Sequence, residues 1–402
     1  MPRPGWRKPV SDRRLSDLVS VGVLTHTFPP ALVDEVVASC QRTERRNRSL
    51  PARAMAYFSI GMALHAEGSY EDVLALLTDG LAWSSGDEVP TLPSKSAIFQ
   101  ARARLGPEPL AALFTKVAKP LGGEGTAGVF LGGRRMVAID GTCLDVADTA
   151  ENASFFGRPG VNKGEQAAFP QARVVAVAEC GTHAIFDAAV GPYTTAENTL
   201  AAGLIERLEP GMLVLADRGF CGFPLFSKAA AKGADLLWRA NSVMKPRPIE
   251  SLPDGSYLAE LRPSGNAGRK AEPLVIRVIE YTIDDGRHND ETYRLFTTIL
   301  DPNDVSATEL ACAYAQRWEI ESAFDELKTH QRGTRTVLRS KSPELVLQEI
   351  WGHLCCHYAI RTLMWEAADD AGVDPDRVSF VAALRIARRS IPAARDFSPS
   401  RH

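Results

Sequence analysis

The sequence predicts an α/β protein: a mixed β-sheet flanked by helices, preceded by an all-helical region and interrupted by a β-rich insertion. Three observations point there. Over the first ~120 residues the apolar positions recur at the helical period. Between Arg135 and Arg239 short apolar runs alternate with helical stretches. Between Asn241 and Leu300, β-branched runs are separated by the Asp-Gly pairs Asp254-Gly255 and Asp285-Gly286. A chain of 402 residues is long enough for two or three domains, each with a core of its own.

Taken in order, residues 15–23, 30–40, 52–65, 70–83 and 95–105 each carry apolar residues at a spacing near 3.6. Ser94 serves as an N-cap and Gly106-Pro107 as a stop around the last of them. Two short helices joined at a Gly-Pro connection suit a helix-turn-helix, in which Lys95, Gln100, Arg102 and Arg104 would face DNA. The plainer reading of those residues is a solvated helix face. Residues 1–125 thus form a helical N-terminal domain, closed by the Gly-rich stretch 122–133. Next come a strand at 135–139 ending at Asp140, and strands at 173–179 and 183–190 about Gly181. A helix at 196–208 leads to a buried strand at 212–216 ending at Asp217, then a helix at 223–232 and a strand at 234–239. This order, with acids at strand ends, suits a mixed sheet covered by helices. It makes 134–240 the first part of a core and 241–300 an inserted β subdomain, with a loop at 264–270. Residues 301–402 form the second part, entered by a long helix at 307–330.

Composition narrows the function classes. The apolar fraction of 45% and charged fraction of 24% are those of an ordinary soluble protein. The N-terminus has no apolar core of the secretory kind, and the longest apolar stretch, 54–66, is too short to span a bilayer. Seven cysteines without a CxxC pair fit reduced thiols, so a cytoplasmic, membrane-free protein is expected. Cys355 and Cys356, flanked by His353 and His357, do not have zinc spacing, and neighbouring helical residues point different ways. A net charge of −3 argues against a uniformly basic nucleic-acid binder, but both ends of the chain are basic and the middle carries the acid excess.

The long helix carries the sharpest pattern. Arg317, Glu321 and Lys328 follow Tyr314 by 3, 7 and 14 residues, offsets that fall within a ~60° sector of a regular helix. A phenol, a guanidinium, a carboxylate and an ammonium on one stripe suit a metal ion and a phosphodiester better than a core. Glu319 and Glu326 point away, whereas the spacing leaves Asp325 open as an alternative to Glu321. An exposed helix with i,i+4 charge pairs is the bland reading. Asp140 and Asp217 alone would read as turn residues. Two acids at buried strand ends with a third on a later helix is the combination that two-metal phosphodiester chemistry needs, since converging carboxylates call for hard cations between them.

Tyr314-Ala-Gln-Arg317-Trp-Glu-Ile-Glu321, with Lys328 beyond, matches without a gap the Y-(2)-R-(3)-E-(6)-K signature, and so resembles the DDE transposases of the insertion sequence four family. Val137-Ala-Ile-Asp140-Gly-Thr142 and Val214-Leu-Ala-Asp217-Arg-Gly-Phe220 look like that family's first and second acidic motifs. The acid separations, 217 − 140 = 77 and 321 − 217 = 104, suit an insertion before the third acid, and Arg339-Ser-Lys-Ser-Pro343 looks like the segment after the third motif. The resemblance implies an RNase H-like fold. It makes Asp140, Asp217 and Glu321 ligands of two Mg²⁺ (or Mn²⁺) ions, and Tyr314, Arg317 and Lys328 holders of the DNA backbone. It further implies binding to double-stranded DNA at terminal inverted repeats, cleavage of the element ends and joining of the 3′-OH to target DNA, by a homodimer that pairs the ends. Two functions compete: an RNase H-like nuclease or resolvase that cuts without joining, and a catalytically silent DNA-binding relative. A two-carboxylate glycosidase would leave the cationic stripe unexplained. Trp318 and Trp238 are candidates to stack on a flipped base, against the ordinary role of Trp in a core. Phe155 and Phe156 either touch DNA or anchor a loop. Arg385, Arg388 and Arg389 contact phosphates or form solvated surface.

Overall fold

The computed structural model describes residues 22–44, 50–75, 93–160, 167–263, 272–282, 292–333 and 337–388. Most of the helix expected at 15–23, the second half of that at 70–83, the loop at 264–270, the Asp285-Gly286 turn and Arg389 lie outside the described residues.

The N-terminal region contains helices α1 (Pro30–Ser39), α2 (Ala52–Leu64), α3 (Lys95–Leu105) and α4 (Glu108–Val117). Ser94 caps α3 by accepting from the Ala97 N–H, and Gly106 ends it at φ 71°, as the sequence indicates. The expected DNA-facing stripe on α3 does not survive intact. Arg102 is wholly buried and donates to Gln348, Tyr70, Ser340 and the Leu345 carbonyl. Losing a buried donor of this kind costs about 1–3 kcal/mol, so Arg102 is a packing residue. Lys95, Gln100 and Arg104 stay exposed. The sequence does not show this because three of its partners, Ser340, Leu345 and Gln348, lie some 240 residues away.

Within the Gly-rich stretch lies β1 (Phe130–Leu131), and after it come β2 (Arg134–Val146), α5 (Ala150–Phe156), β3 (Gln171–Glu179) and β4 (Ile185–Pro192). Then follow α6 (Glu197–Ile205), β5 (Met212–Ala216), α7 (Phe223–Ala230) and β6 (Asp235–Arg239). The Gly-rich stretch docks on the β3–β4 turn: the Leu121 and Gly122 N–H groups donate to the buried Glu179, and a Cβ on Gly181 would meet the Ala127 carbonyl at 2.3 Å. Strands β7 (Arg247–Ser251), β8 (Tyr257–Leu261), β9 (Leu274–Thr282) and β10 (Thr292–Thr297) complete the insertion.

All of these strands share one mixed sheet, ordered β4-β3-β2-β5-β6-β10-β9-β8-β7. The pairs β2–β5 and β5–β6 are parallel, whereas β10 joins β6 antiparallel. The insertion is therefore a continuation of the central sheet. Its Asp254-Gly255 turn is present, with Gly255 at φ 84° and Asp254 paired to the buried Arg277.

Side chains alternate between two cores. Met136 and Ala138 face one shared with α2, α3 and α4, and Val137 and Ile139 face one covered by α6 and α7. The first core is completed by α8 (Ala307–Ala315), α9 (Glu319–Asp325), α10 (Pro343–Ala371) and α11 (Phe380–Arg388), with β11 (Val337–Leu338) pairing parallel to β2. The 29-residue α10 packs on α2 and α4, and Ser59 and Gln348 meet at 3.3 Å. Among the described residues no helix is long and apolar enough to cross a membrane.

Candidate catalytic and metal-binding site

Strand register brings the first two acids together. Ile139 pairs with Ala216 across the parallel β2–β5 ladder, so Asp140 and Asp217 are the next residues on adjacent strands. β2 does not end at Asp140, as the sequence suggests, but runs to Val146; it is β5 that stops. Asp140-Gly141 is accordingly not a turn. A Cβ on Gly141 would lie 2.9 Å from the Glu197 carboxyl, so this glycine makes room for a neighbouring side chain within a strand. Each acid is held locally: Asp140 Oδ1 accepts from the Gly141 N–H at 2.7 Å, and Asp217 Oδ1 from the Gly219 N–H at 2.7 Å.

The helix bearing the third acid is less regular than its spacing predicts. α8 passes through a 3₁₀ turn (Gln316–Trp318) into α9, then into a π-helical turn (Glu326–His330). A constant 100° per residue therefore does not hold along it. The four signature side chains nevertheless reach the same strand ends. The Tyr314 hydroxyl donates to the Ala216 carbonyl at 3.4 Å, pinning α8 beside Asp217. Arg317 donates to Asp140 Oδ2 at 3.5 Å and to Glu321 Oε1 at 3.1 Å, linking the first acid to the third. Lys328 Nζ donates to Thr142 Oγ1 at 3.1 Å, two residues beyond Asp140 on β2.

Burial sorts this stripe. Tyr314 and Arg317 are 4% and 7% exposed, so the phenol belongs to the core, while Glu321 and Lys328 are open to solvent. Arg317 Nε is buried with no hydrogen-bond partner among the described residues, a free donor beside the acids. Asp325, the alternative that spacing leaves open, pairs with His330 at 3.2 Å.

Burial raises the Asp140 carboxyl to about 6, and the nearby Asp217 and Glu321 charges add to the rise; the Gly141 N–H and Arg317 oppose it. Three carboxylates without thiol or imidazole form a hard-oxygen donor set of the kind Mg²⁺ or Mn²⁺ takes. By the chemistry of their donor atoms, the residues present fit such an ion.

Sequence reasoning passed over a bracket around these acids. Glu197 packs on Gly141 and accepts from Arg173 at 2.6 Å, and Asn198 donates to the Gly219 carbonyl at 3.3 Å. Adjacent residues at the start of α6 thus touch both acidic segments. Their only sequence signal is an ordinary helix start.

Other candidates separate clearly. Trp238 is fully buried, edge-on to Phe226 at 5.2 Å, and is a core residue. Trp318 is 57% exposed, with the Arg317 guanidinium 4.5 Å from its ring centroid. Phe156 is buried and Phe155 exposed. Arg388 donates to the Leu64 and Gln331 carbonyls and ties α11 to its neighbours, whereas Arg385 is exposed.

The sequence matches two family models: the insertion element 4 transposase N-terminal region over residues 18–115, and the transposase DDE domain over residues 131–359. It is 30% identical over 375 residues to the transposase InsG for insertion sequence element IS4 of Escherichia coli (strain K12), covering 92% of this chain and 83% of that one. It is 28% identical over 155 residues to the putative transposase InsZ of the same organism, covering 39% of this chain and 52% of that one. A piggyBac transposase, solved as a synaptic complex with hairpin DNA, aligns over 92% of this chain and 79% of its own, with 10% identity and a TM-score of 0.46.

Proposed function

The chain belongs to the insertion element 4 family of DDE transposases, metal-dependent enzymes that act on DNA, and from that premise we propose the residues and steps by which it works. Asp140, Asp217 and Glu321 hold two Mg²⁺ (or Mn²⁺) ions. The protein binds the terminal inverted repeats of its element, cuts the DNA at the element ends and joins the free 3′-OH to target DNA. The observation that carries this reading is the convergence of Asp140 and Asp217 on adjacent parallel strands, with Arg317 tying Glu321 to Asp140.

Bound between these carboxylates, the metal would lower the barrier to attack on a phosphodiester by activating the attacking oxygen and stabilising the leaving one. The chain's own groups do the positioning. Tyr314 fixes the helix against the end of β5. Arg317, whose Nη1 and Nη2 bind Asp140 and Glu321, would engage a phosphate oxygen by exchanging one of these partners, and Lys328 offers a point charge at the exposed edge of the site. Exposed Trp318 stands ready to stack on a base displaced from the duplex. Helices of the segment 1–125 take part in reading the inverted repeats, and a homodimer pairs the two ends.

Incubation with Mg²⁺, a DNA end flanking the protein's own gene, and a second DNA should yield joined product. Nicked ends that are never joined would replace this reading with that of a nuclease. Lys328→Ala should weaken binding across DNA sequences and reduce the slope of log K against log salt by about 1, as for one lost phosphate contact. An unchanged slope would remove Lys328 from the phosphate contacts.

A further inference from the structure

At the cleft that Glu321 also lines, three side chains from distant segments meet. His183 comes from the β3–β4 turn, Glu319 from the first residue of α9, and Asp376 from the 3₁₀ turn Pro375–Arg377. One ligand atom of each lies within 4.8 Å of the other two. His183 Nε2 contacts Glu319 Oε2 directly and stands 3.3 Å from Asp376 Oδ1.

Charge balance says what this cluster lacks. A third carboxylate, Glu326, sits behind His183 and accepts from Arg361 and from His357. Three carboxylates thus face one permanent cation, Arg361. Even a protonated His183 leaves one negative charge uncompensated, and a neutral one leaves two. Glu326 and His183 are 8% and 9% exposed, whereas the Glu319 and Asp376 side chains are 23% and 41% exposed. The excess is therefore screened least at Glu326 and more at the cleft mouth. Burial keeps His357 from contributing, by holding its imidazole below the usual range. The entrance is open: His183, Glu321, Asp376 and Trp318 line a cleft of about 590 Å³.

We propose that His183, Glu319 and Asp376 form a second metal site, separate from the three acids of the catalytic centre, that takes one divalent transition ion of the zinc class. An imidazole nitrogen with two carboxylate oxygens favours zinc over magnesium. Three protein ligands leave a fourth position for water on the cleft side. Glu326 Oε1, 3.7 Å from His183 Nδ1, is placed to accept the Nδ1–H once Nε2 ligates, as carboxylates behind metal-bound histidines do. Arg361, now 2.5 Å from Nδ1, would then serve Glu326 alone. Bound there, the ion clasps the β-hairpin turn, the Glu321-bearing helix and the C-terminal segment together.

The test uses the full chain carrying Asp140→Asn, Asp217→Asn and Glu321→Gln, so that the catalytic acids contribute nothing. Zinc alone is titrated by calorimetry and thermal unfolding. The account expects about one equivalent bound and a zinc-dependent rise in Tm. Adding Asp376→Asn, a half-exposed and conservative change, should weaken zinc binding at least ~10-fold, and His183→Gln should do the same without altering the fold by circular dichroism. No zinc bound by the triple variant, or equal affinity after Asp376→Asn, would leave an ion-pair cluster and overturn the proposal. Because DNA cleavage is not the readout, neither result depends on the roles given to the catalytic acids.

Discussion

Asp217→Asn is expected to abolish cleavage of element ends while leaving end binding in place. A lost metal ligand removes several kcal/mol of transition-state stabilisation, so the rate should fall about a thousandfold or more. The fold should tolerate the change. Asp217 accepts the Gly219 N–H through Oδ1, and asparagine keeps that acceptor. Asp140→Asn should behave alike, because Asp140 Oδ1 accepts from Gly141 in the same way. Gel-shift binding and single-turnover cleavage on the same preparation separate the two effects. Cleavage within about tenfold of wild type would remove the substituted residue from the metal site, and loss of both activities would point to a folding defect.

The second large effect concerns the choice between two acids on one helix. Glu321→Gln should lower cleavage by about three orders of magnitude, and Asp325→Asn by no more than a few-fold. Spacing alone leaves both open, since they are four residues apart. Their partners differ: Glu321 is joined through Arg317 to Asp140, whereas Asp325 turns to His330. The reverse order of effects would assign the metal to Asp325 and require the helix to rotate.

How far the sequence carries the site follows from where each constraint resides. β3, β5, β6 and the helices between them are legible because period-2 and 3.6 patterns are local. The insertion is legible as β structure, but its continuity with β6 is not, because strand pairing across 50 or more residues leaves no local mark. Asp140 reads as the end of a strand when it is the strand beside it that ends. Gly141 reads as a turn for a related reason, since the side chain it accommodates comes from Glu197. The signature helix is recognised at four positions, yet its 3₁₀ and π-helical turns are not, because they reflect packing and not composition. Arg102 and Arg388 show the opposite failure: an arginine on a short helix suggests DNA, and both are held by carbonyl or side-chain partners from far along the chain.

The central claim, that Asp217 and Glu321 ligate the catalytic metal, is tested most directly by changing the ligand and not only removing it. Asp217→Cys, Glu321→Cys and, as control, Asp325→Cys would be assayed for end cleavage with Mg²⁺ and with Mn²⁺. A thiolate is a poor partner for hard Mg²⁺ and a better one for Mn²⁺. The account predicts that the first two variants are silent in Mg²⁺ and partly active in Mn²⁺, while Asp325→Cys cleaves in both. Undiminished cleavage by Asp217→Cys or Glu321→Cys in Mg²⁺, or a switch of metal preference at Asp325 instead, would contradict it.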